Sequence, residues 1–236
     1  MIDGPVLLCE AVAAGVALEE VFAATGADPG PLRVASGAGA VVHEVAPEVL
    51  ARAVDTVTSQ GVATIARRVE VDAATAVAAV AAGGLGLVLV DVADPGNAGT
   101  LLRAAEAAGA AAVLFCGSSV DPSAPKCVRA SAGALFHLPV SVGGEAVEIL
   151  GNLRAEGVRV LATVPRDGTP HDRVDLTRPT ALLLGSEAHG LPPDLVAAAD
   201  DAVTIPVSGR AESLNVAMAG AVLCFEASRQ RRSGSP

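Results

Sequence analysis

Three polar loops hold most of the chemistry this chain could perform. The first, Asp94-Pro95-Gly96-Asn97-Ala98-Gly99, runs into Thr100-Leu101-Leu102-Arg103-Ala104-Ala105-Glu106. Asp-Pro-Gly makes a turn, Asn97 suits a helix N-cap, and Gly99 permits close approach of another segment. Arg103 stands among leucines and alanines. It either serves a ligand or snorkels from an apolar helix, paired with Glu106. The second loop, Leu184-Gly185-Ser186-Glu187-Ala188-His189-Gly190-Leu191-Pro192, follows an apolar run. Glu187 and His189 invite general acid–base chemistry, whereas the plainer reading is a strand-to-helix turn opened by a proline. The third loop runs Ile205-Pro206-Val207-Ser208-Gly209-Arg210-Ala211-Glu212-Ser213-Leu214-Asn215. Ser213 and Asn215 favour the start of a helix over its middle. A buried loop there could present backbone N–H and C=O groups to a ligand.

The segments around these loops alternate between two patterns. Continuous apolar runs at 87–92, 112–115, 159–162, 181–184 and 202–206 read as buried strands. Helical patterns fall near 98–108, 145–156, 193–199 and 213–231. Strands of this kind separated by helices imply a parallel sheet covered on both faces. Ligands in such sheets sit beyond the carboxyl ends of the strands, and each polar loop falls at such an end. Residues 1–72 read as a smaller α/β unit. It has a helix at 6–15, a strand at 18–23, a turn at 26–30, a strand at 41–45, a helix from Pro47 to about Val57 and a strand at 62–66. The Ala-rich stretch and Gly83-Gly84 that follow suggest a linker over 73–86, with the second domain spanning 87–236.

The hydrophobic fraction of 51% rests on Ala, Val and Leu, with only four Phe and neither Tyr nor Trp. That favours packed helices on a sheet over disorder. No apolar run reaches membrane-spanning length uninterrupted. Cys9, Cys116, Cys127 and Cys224 are scattered without metal-type pairing, which points to no metal, free thiols and a reducing cytoplasm. The net charge of −10 argues against coating nucleic acid by bulk electrostatics. Residues 1–72 hold four Arg against ten Asp or Glu, a net of −6.

The order of the three loops is more specific than any one of them. Asn97-x-Gly99-x-x-x-Arg103, then Gly185-x-Glu187-x-x-Gly190, then Ile205-Pro206…Ser213-Leu214-Asn215 resembles the three signature motifs of the SpoU (TrmH-like) RNA 2′-O-ribose methyltransferases of the SPOUT superfamily. The resemblance spans about residues 87–232. Residues 1–72 resemble the ribosomal-protein-L30e-like substrate-binding domain found in members that act on ribosomal RNA. The resemblance implies an α/β fold with a deep C-terminal trefoil knot, a homodimer with a shared active site, and S-adenosylmethionine bound in the knot. By motif match Leu184, Gly185, Gly190, Ile205 and Leu214 hold the cofactor, while Arg103, Asn97, Glu187, Ser213 and Asn215 serve catalysis. For Asn215, capping and catalysis are both open. An arginine is a poor base, so Arg103 is expected to donate hydrogen bonds to the nucleophilic oxygen or a nearby phosphate.

Several features depart from the pattern. Ala188 stands where the family commonly has Gly, which would cost of order 1 kcal/mol if the residue needs a positive φ. The N-terminus resembles a trimmed form of the family's first domain. Few cations are available to grip RNA: Arg33, Arg52, Arg67 and Arg68 if they share a face, with Lys126, Arg129 and Arg210 nearer the loops. Arg229, Arg231 and Arg232 are expected to be a solvated helix end. The implied function is 2′-O-methylation of RNA, most naturally 23S ribosomal RNA. Transfer RNA, a non-catalytic RNA- or ribosome-binding role and a small-molecule α/β enzyme are the alternatives.

Overall fold

A computed structural model describes residues 1–54 and 60–233. The first unit opens with β1 (Ile2–Asp3) and α1 (Pro5–Ala13), followed by β2 (Leu18–Ala24). The Asp28 segment, expected as a turn, instead starts a helix. Asp28 accepts a hydrogen bond from the Gly30 N–H at 2.9 Å, and Pro29 supplies the first-turn geometry of α2 (Pro29–Gly37). Then come β3 (Val41–Val45), α3 (Pro47–Ala53) and β4 (Val62–Ala66). The helix expected to reach Val57 ends at Ala53; residues 55–57 lie outside the described residues. These strands form a mixed sheet in the order β1-β4-β2-β3.

The segment expected as a linker holds a helix and the start of a strand. Asp72 caps α4 (Ala73–Ala81) by accepting from Thr75 N–H at 2.7 Å, and Ala76, Val77 and Val80 are buried. The small alanine side chains let this helix lie close against the sheet, whose β5 (Leu85–Val90) begins inside the expected linker. After it follow α5 (Pro95–Ala107), β6 (Ala112–Cys116), α6 (Pro125–Ser131), β7 (Val140–Val142), α7 (Ala146–Ala155) and β8 (Arg159–Thr163). The chain closes with β9 (Thr169–Pro170), β10 (Thr180–Leu184), α8 (Pro193–Ala198), β11 (Asp201–Thr204) and α9 (Val216–Ser233). Seven strands form one sheet in the order β7-β6-β5-β10-β8-β11-β9, and every pairing is parallel.

Period-two alternation divides the apolar residues of this sheet between two cores. Leu87, Leu89, Phe115 and Leu182 pack with Leu101, Leu102, Leu223 and Cys224 of α5 and α9. Val88, Val90, Leu114 and Leu183 pack on the other face with Val77, Val80, Ile149 and Leu153 of α4 and α7. The first core continues without a break into the N-terminal unit through Ile2, Leu8, Ala11 and Val21. Polar contacts tie the same junction: Arg68 reaches Asp121 at 3.0 Å, and His137 Nε2 lies 3.2 Å from Glu10.

Helix α9 runs from the carboxyl ends of the strands to the opposite edge, and its far end is not simply solvated. Arg231 donates to the carbonyls of Leu176, Gly83, Gly84 and Arg178 at 2.9–3.1 Å. Gln230 accepts from Leu176 N–H and donates to Val174 C=O. Those carbonyls precede β5 and β10; Gly84 also accepts from Thr180 N–H at 3.2 Å and Arg178 from Thr180 Oγ1 at 2.8 Å, and the guanidinium fork serves all four. Cys116, Cys127 and Cys224 are buried free thiols, each pushed up to about 12 chiefly by burial. Among the described residues no helix is long and apolar enough to cross a membrane.

Candidate active site

The three polar loops converge beyond the carboxyl ends of β5, β10 and β11. In the first, the N-cap is Asp94 rather than Asn97: its carboxylate accepts from the Asn97 N–H at 2.8 Å. The expected cap was misplaced because Pro95 and Gly96 can themselves occupy the first helical turn. Asn97 is thereby left with a side chain free to bridge. Its Nδ2 donates to Glu187 at 2.9 Å, and its Oδ1 accepts from Asn215 Nδ2 at 3.1 Å. Glu187 also accepts from the N–H groups of Ala93 and Asp94, both at 3.3 Å. Asn215 caps α9, with Oδ1 accepting from Ala217 N–H at 2.9 Å and Met218 N–H at 3.3 Å. One chain of hydrogen bonds thus joins a residue from each loop.

This network defines the charge state of Glu187. Burial raises its pKa, but the Asn97 amide and the backbone donors outweigh that, and the net shift is downward. A carboxylate that accepts so many donors stays ionised at neutral pH. Glu187 thus joins the first and second loops as an ionised acceptor. His189 lies in the same loop and faces the cavity.

The second and third loops line a cavity of about 510 Å³, inside the range of small-molecule sites. Leu184, Gly185, Gly190, Ile205 and Leu214 all line it, together with Glu187, Ser213 and Asn215. Gly185 is indispensable to this shape: a Cβ there would lie 2.3 Å from the Gly190 carbonyl carbon and 2.4 Å from the Leu191 nitrogen. Gly190 turns the loop back with φ +68 and donates to the Ser186 carbonyl at 2.8 Å. Ala188 is not among the residues with positive φ, so the strain feared at that position does not arise. Sequence reading missed part of the wall: Thr163, Val164 and Pro165 after β8, and Ala219 and Leu223 of α9. The signal was available, because residues 163–165 occupy the carboxyl end of another strand of the same sheet.

Arg103 does not line the cavity; it is exposed on α5 and has no hydrogen-bond or ion-pair partner among the described residues. Of the N-terminal arginines, Arg33 and Arg52 are exposed on α2 and α3, and the other two are held in ion pairs. Arg67 is paired with Glu19 at 3.3 Å, and Arg68 with Glu70 at 2.9 Å and Asp121 at 3.0 Å. Beside the site, Lys126 lies 3.5 Å from Asp94. Among the described residues no group of three or more His, Cys, Asp or Glu is placed to hold a metal ion.

A parallel α/β sheet whose carboxyl-end loops close on an apolar, glycine-walled cavity defines a small-ligand-binding class of protein. Residues 84–225 match the model of the SpoU rRNA methylase family, and the chain belongs to that family. It is 38% identical over 140 residues to the 23S rRNA (guanosine(2553)-2′-O)-methyltransferase RlmP of Bacillus subtilis, covering 59% of this chain and 56% of RlmP. It is 37% identical over 155 residues to the 23S rRNA (uridine(2479)-2′-O)-methyltransferase of Streptomyces viridochromogenes, covering 64% and 54%. The chain thus spans about half the length of these relatives. Among solved structures, it is similar to an AdoMet-bound rRNA methyltransferase from Sinorhizobium meliloti. There the TM-score is 0.84 and the identity 30%, covering 99% of this chain and 87% of that one. The AdoMet complex of the SpoU methyltransferase AviRb from S. viridochromogenes gives a TM-score of 0.83 at 26% identity, covering 99% and 90%.

Proposed function

We propose that the protein transfers a methyl group from S-adenosylmethionine to a ribose 2′-hydroxyl of RNA, most naturally 23S ribosomal RNA in the cytoplasm. The observation that carries this reading is the cavity walled by the second and third motif loops, with Asn97 of the first loop hydrogen-bonded to Glu187 and Asn215 of its wall. The donor set fits the cofactor. Leu184, Ile205, Leu214 and Leu223 supply apolar walls for an adenosine, and the tight Gly185–Gly190 turn offers main-chain groups to its edge. When bound, the cofactor supplies an electrophilic methyl group. What the protein must add is alignment, and positioning alone contributes several kcal/mol in favourable cases, up to about 7–11.

Arg103 is assigned to the hydroxyl. A guanidinium remains protonated, so it stabilises developing negative charge on oxygen rather than accepting a proton. Its place outside the cavity of its own chain fits a site completed by a second copy. Met218, Val222 and Phe225 are exposed at four- and three-residue spacing along α9, which packs on α5. Such a stripe is the kind of surface a homodimer covers. The knot implied by the three motifs belongs to the same reading. The N-terminal unit is assigned an L30e-like role in substrate recognition. Calorimetry with S-adenosylmethionine and the Arg103→Lys variant tests the assignment. Binding should persist in Arg103→Lys while turnover falls at least tenfold; near-normal turnover would show that Arg103 has another role.

A further inference from the structure

Among the described residues, the four-stranded sheet of the N-terminal unit leaves one edge and much of one face open. β3 is the outer strand, and among the described residues nothing pairs with its far side. Natural edge strands are usually guarded by charged side chains, above all lysine, by proline or by a covering element, and the one carboxylate of β3, Glu44, guards against acidic strands but not cationic ones. Val41-Val42-His43-Glu44-Val45 contains neither lysine nor proline. Cross-strand partners share a face, and the register places Glu20, Phe22, Val41, His43 and Ile65 together on the side away from the α1 and α2 core. Helix α3 covers only one end of that side, where Leu50 and Val54 pack with Ala63. Val41 is 56% exposed and Ile65 42%. The Phe22 ring stacks on His43 at 5.2 Å, with Glu20 3.9 Å from the same imidazole.

The charge of this surface selects its occupant. The unit carries a net −6 over residues 1–72; Arg67 and Arg68 are closed in ion pairs, and Arg33 and Arg52 lie on α2 and α3, not on the edge strand. Glu20 and Glu44 remain exposed on and beside the edge strand. Phosphates would be repelled here, whereas a cationic chain would be attracted. An open edge admits an extended backbone, whose alternating side chains would meet Val41 and the glutamates in turn. We propose that the β3 edge and its adjoining face dock an extended, lysine- or arginine-rich segment of a partner protein, added as a further strand. The proposal is independent of the methyl-transfer reading.

The test uses a labelled decapeptide of alternating lysine and valine titrated with the full chain by fluorescence anisotropy, with hydrogen exchange read at the same time. Saturable binding that weakens with salt and slows exchange of amides in 41–45 is expected. Glu20→Lys with Glu44→Lys should weaken binding at least tenfold, while Glu148→Lys with Glu156→Lys on α7 should change it less than twofold. Absence of saturable binding, an equal loss from the α7 pair, or unprotected β3 amides would overturn the proposal. So would an RNA decamer that protects those amides where the peptide does not.

Discussion

Replacing Gly185 by alanine is the sharpest perturbation of the cavity. The new Cβ would fall 2.3 Å from the Gly190 carbonyl carbon, 2.4 Å from the Leu191 nitrogen and 2.5 Å from the Gly190 oxygen. All three are backbone atoms and cannot swing away as a side-chain tip could. Restoring van der Waals separation needs a movement of about 1 Å, since carbon contacts settle near 3.5–4.0 Å and polar ones somewhat closer. The loop resists that movement through the Gly190-to-Ser186 hydrogen bond and the anchoring of Glu187 on Ala93, Asp94 and Asn97. Overpacking of this kind costs about 1–3 kcal/mol. Expressed at the cavity wall, it weakens cofactor binding by about 5- to 150-fold. Calorimetric titration with S-adenosylmethionine measures it, and Gly209→Ala, which meets no atom within 4 Å, is the control. If Gly185→Ala binds the cofactor within twofold of the parent and melts at the same temperature, the loop is not the rigid wall described here.

Three further outcomes follow from the same geometry. Arg231→Ala removes a charged donor from four backbone carbonyls, of which Gly84 and Arg178 keep Thr180 as a donor, and should lower stability by about 2–4 kcal/mol in urea unfolding, because charge-assisted bonds are lost and the Leu176 and Gly83 acceptors are stranded. Phe225→Asp places a charge in the exposed apolar stripe of α9; sedimentation should then report monomers, with cofactor affinity altered less than turnover. Glu226 is held at about 2 first by the Arg229 fork, against the opposing effect of burial, with Gln230 assisting. A depressed carboxylate contributes stability above its unfolded value near 4.3 and loses it as pH falls towards 2. Acid unfolding followed from pH 5 to 2 should therefore be less steep in Glu226→Gln than in the parent.

Much of the C-terminal half was legible because its physics is local. Continuous apolar runs bounded by polar loops identify buried parallel strands, and Ser-Leu-Asn before an Ala-rich run identifies the capped start of α9. What escaped depended on partners distant in sequence. Asp-Pro-Gly-Pro at 28–31 carries turn and helix-start signals alike, and only the capping bond decided between them. The alanines of 73–81 show little amphipathic contrast, yet the sheet gives them a face to bury. Strands β7 and β9 are too short to leave a pattern, and β9 pairs only with β11. Arg231 looked like a solvated helix end because its acceptors lie about 55 and 150 residues away in the chain. In the site, the motif loops announced Asn97, Glu187 and Asn215, but not that they touch one another.

The central claim is that the three loops build a methyl-transfer site for RNA ribose. Mapping 2′-O-methylation across ribosomal and transfer RNA, with and without this gene, tests it most directly. The claim predicts one ribose, in 23S ribosomal RNA, that loses its methyl group without the gene and regains it when purified protein and S-adenosylmethionine are supplied. A map unchanged at every ribose of both RNAs would contradict it.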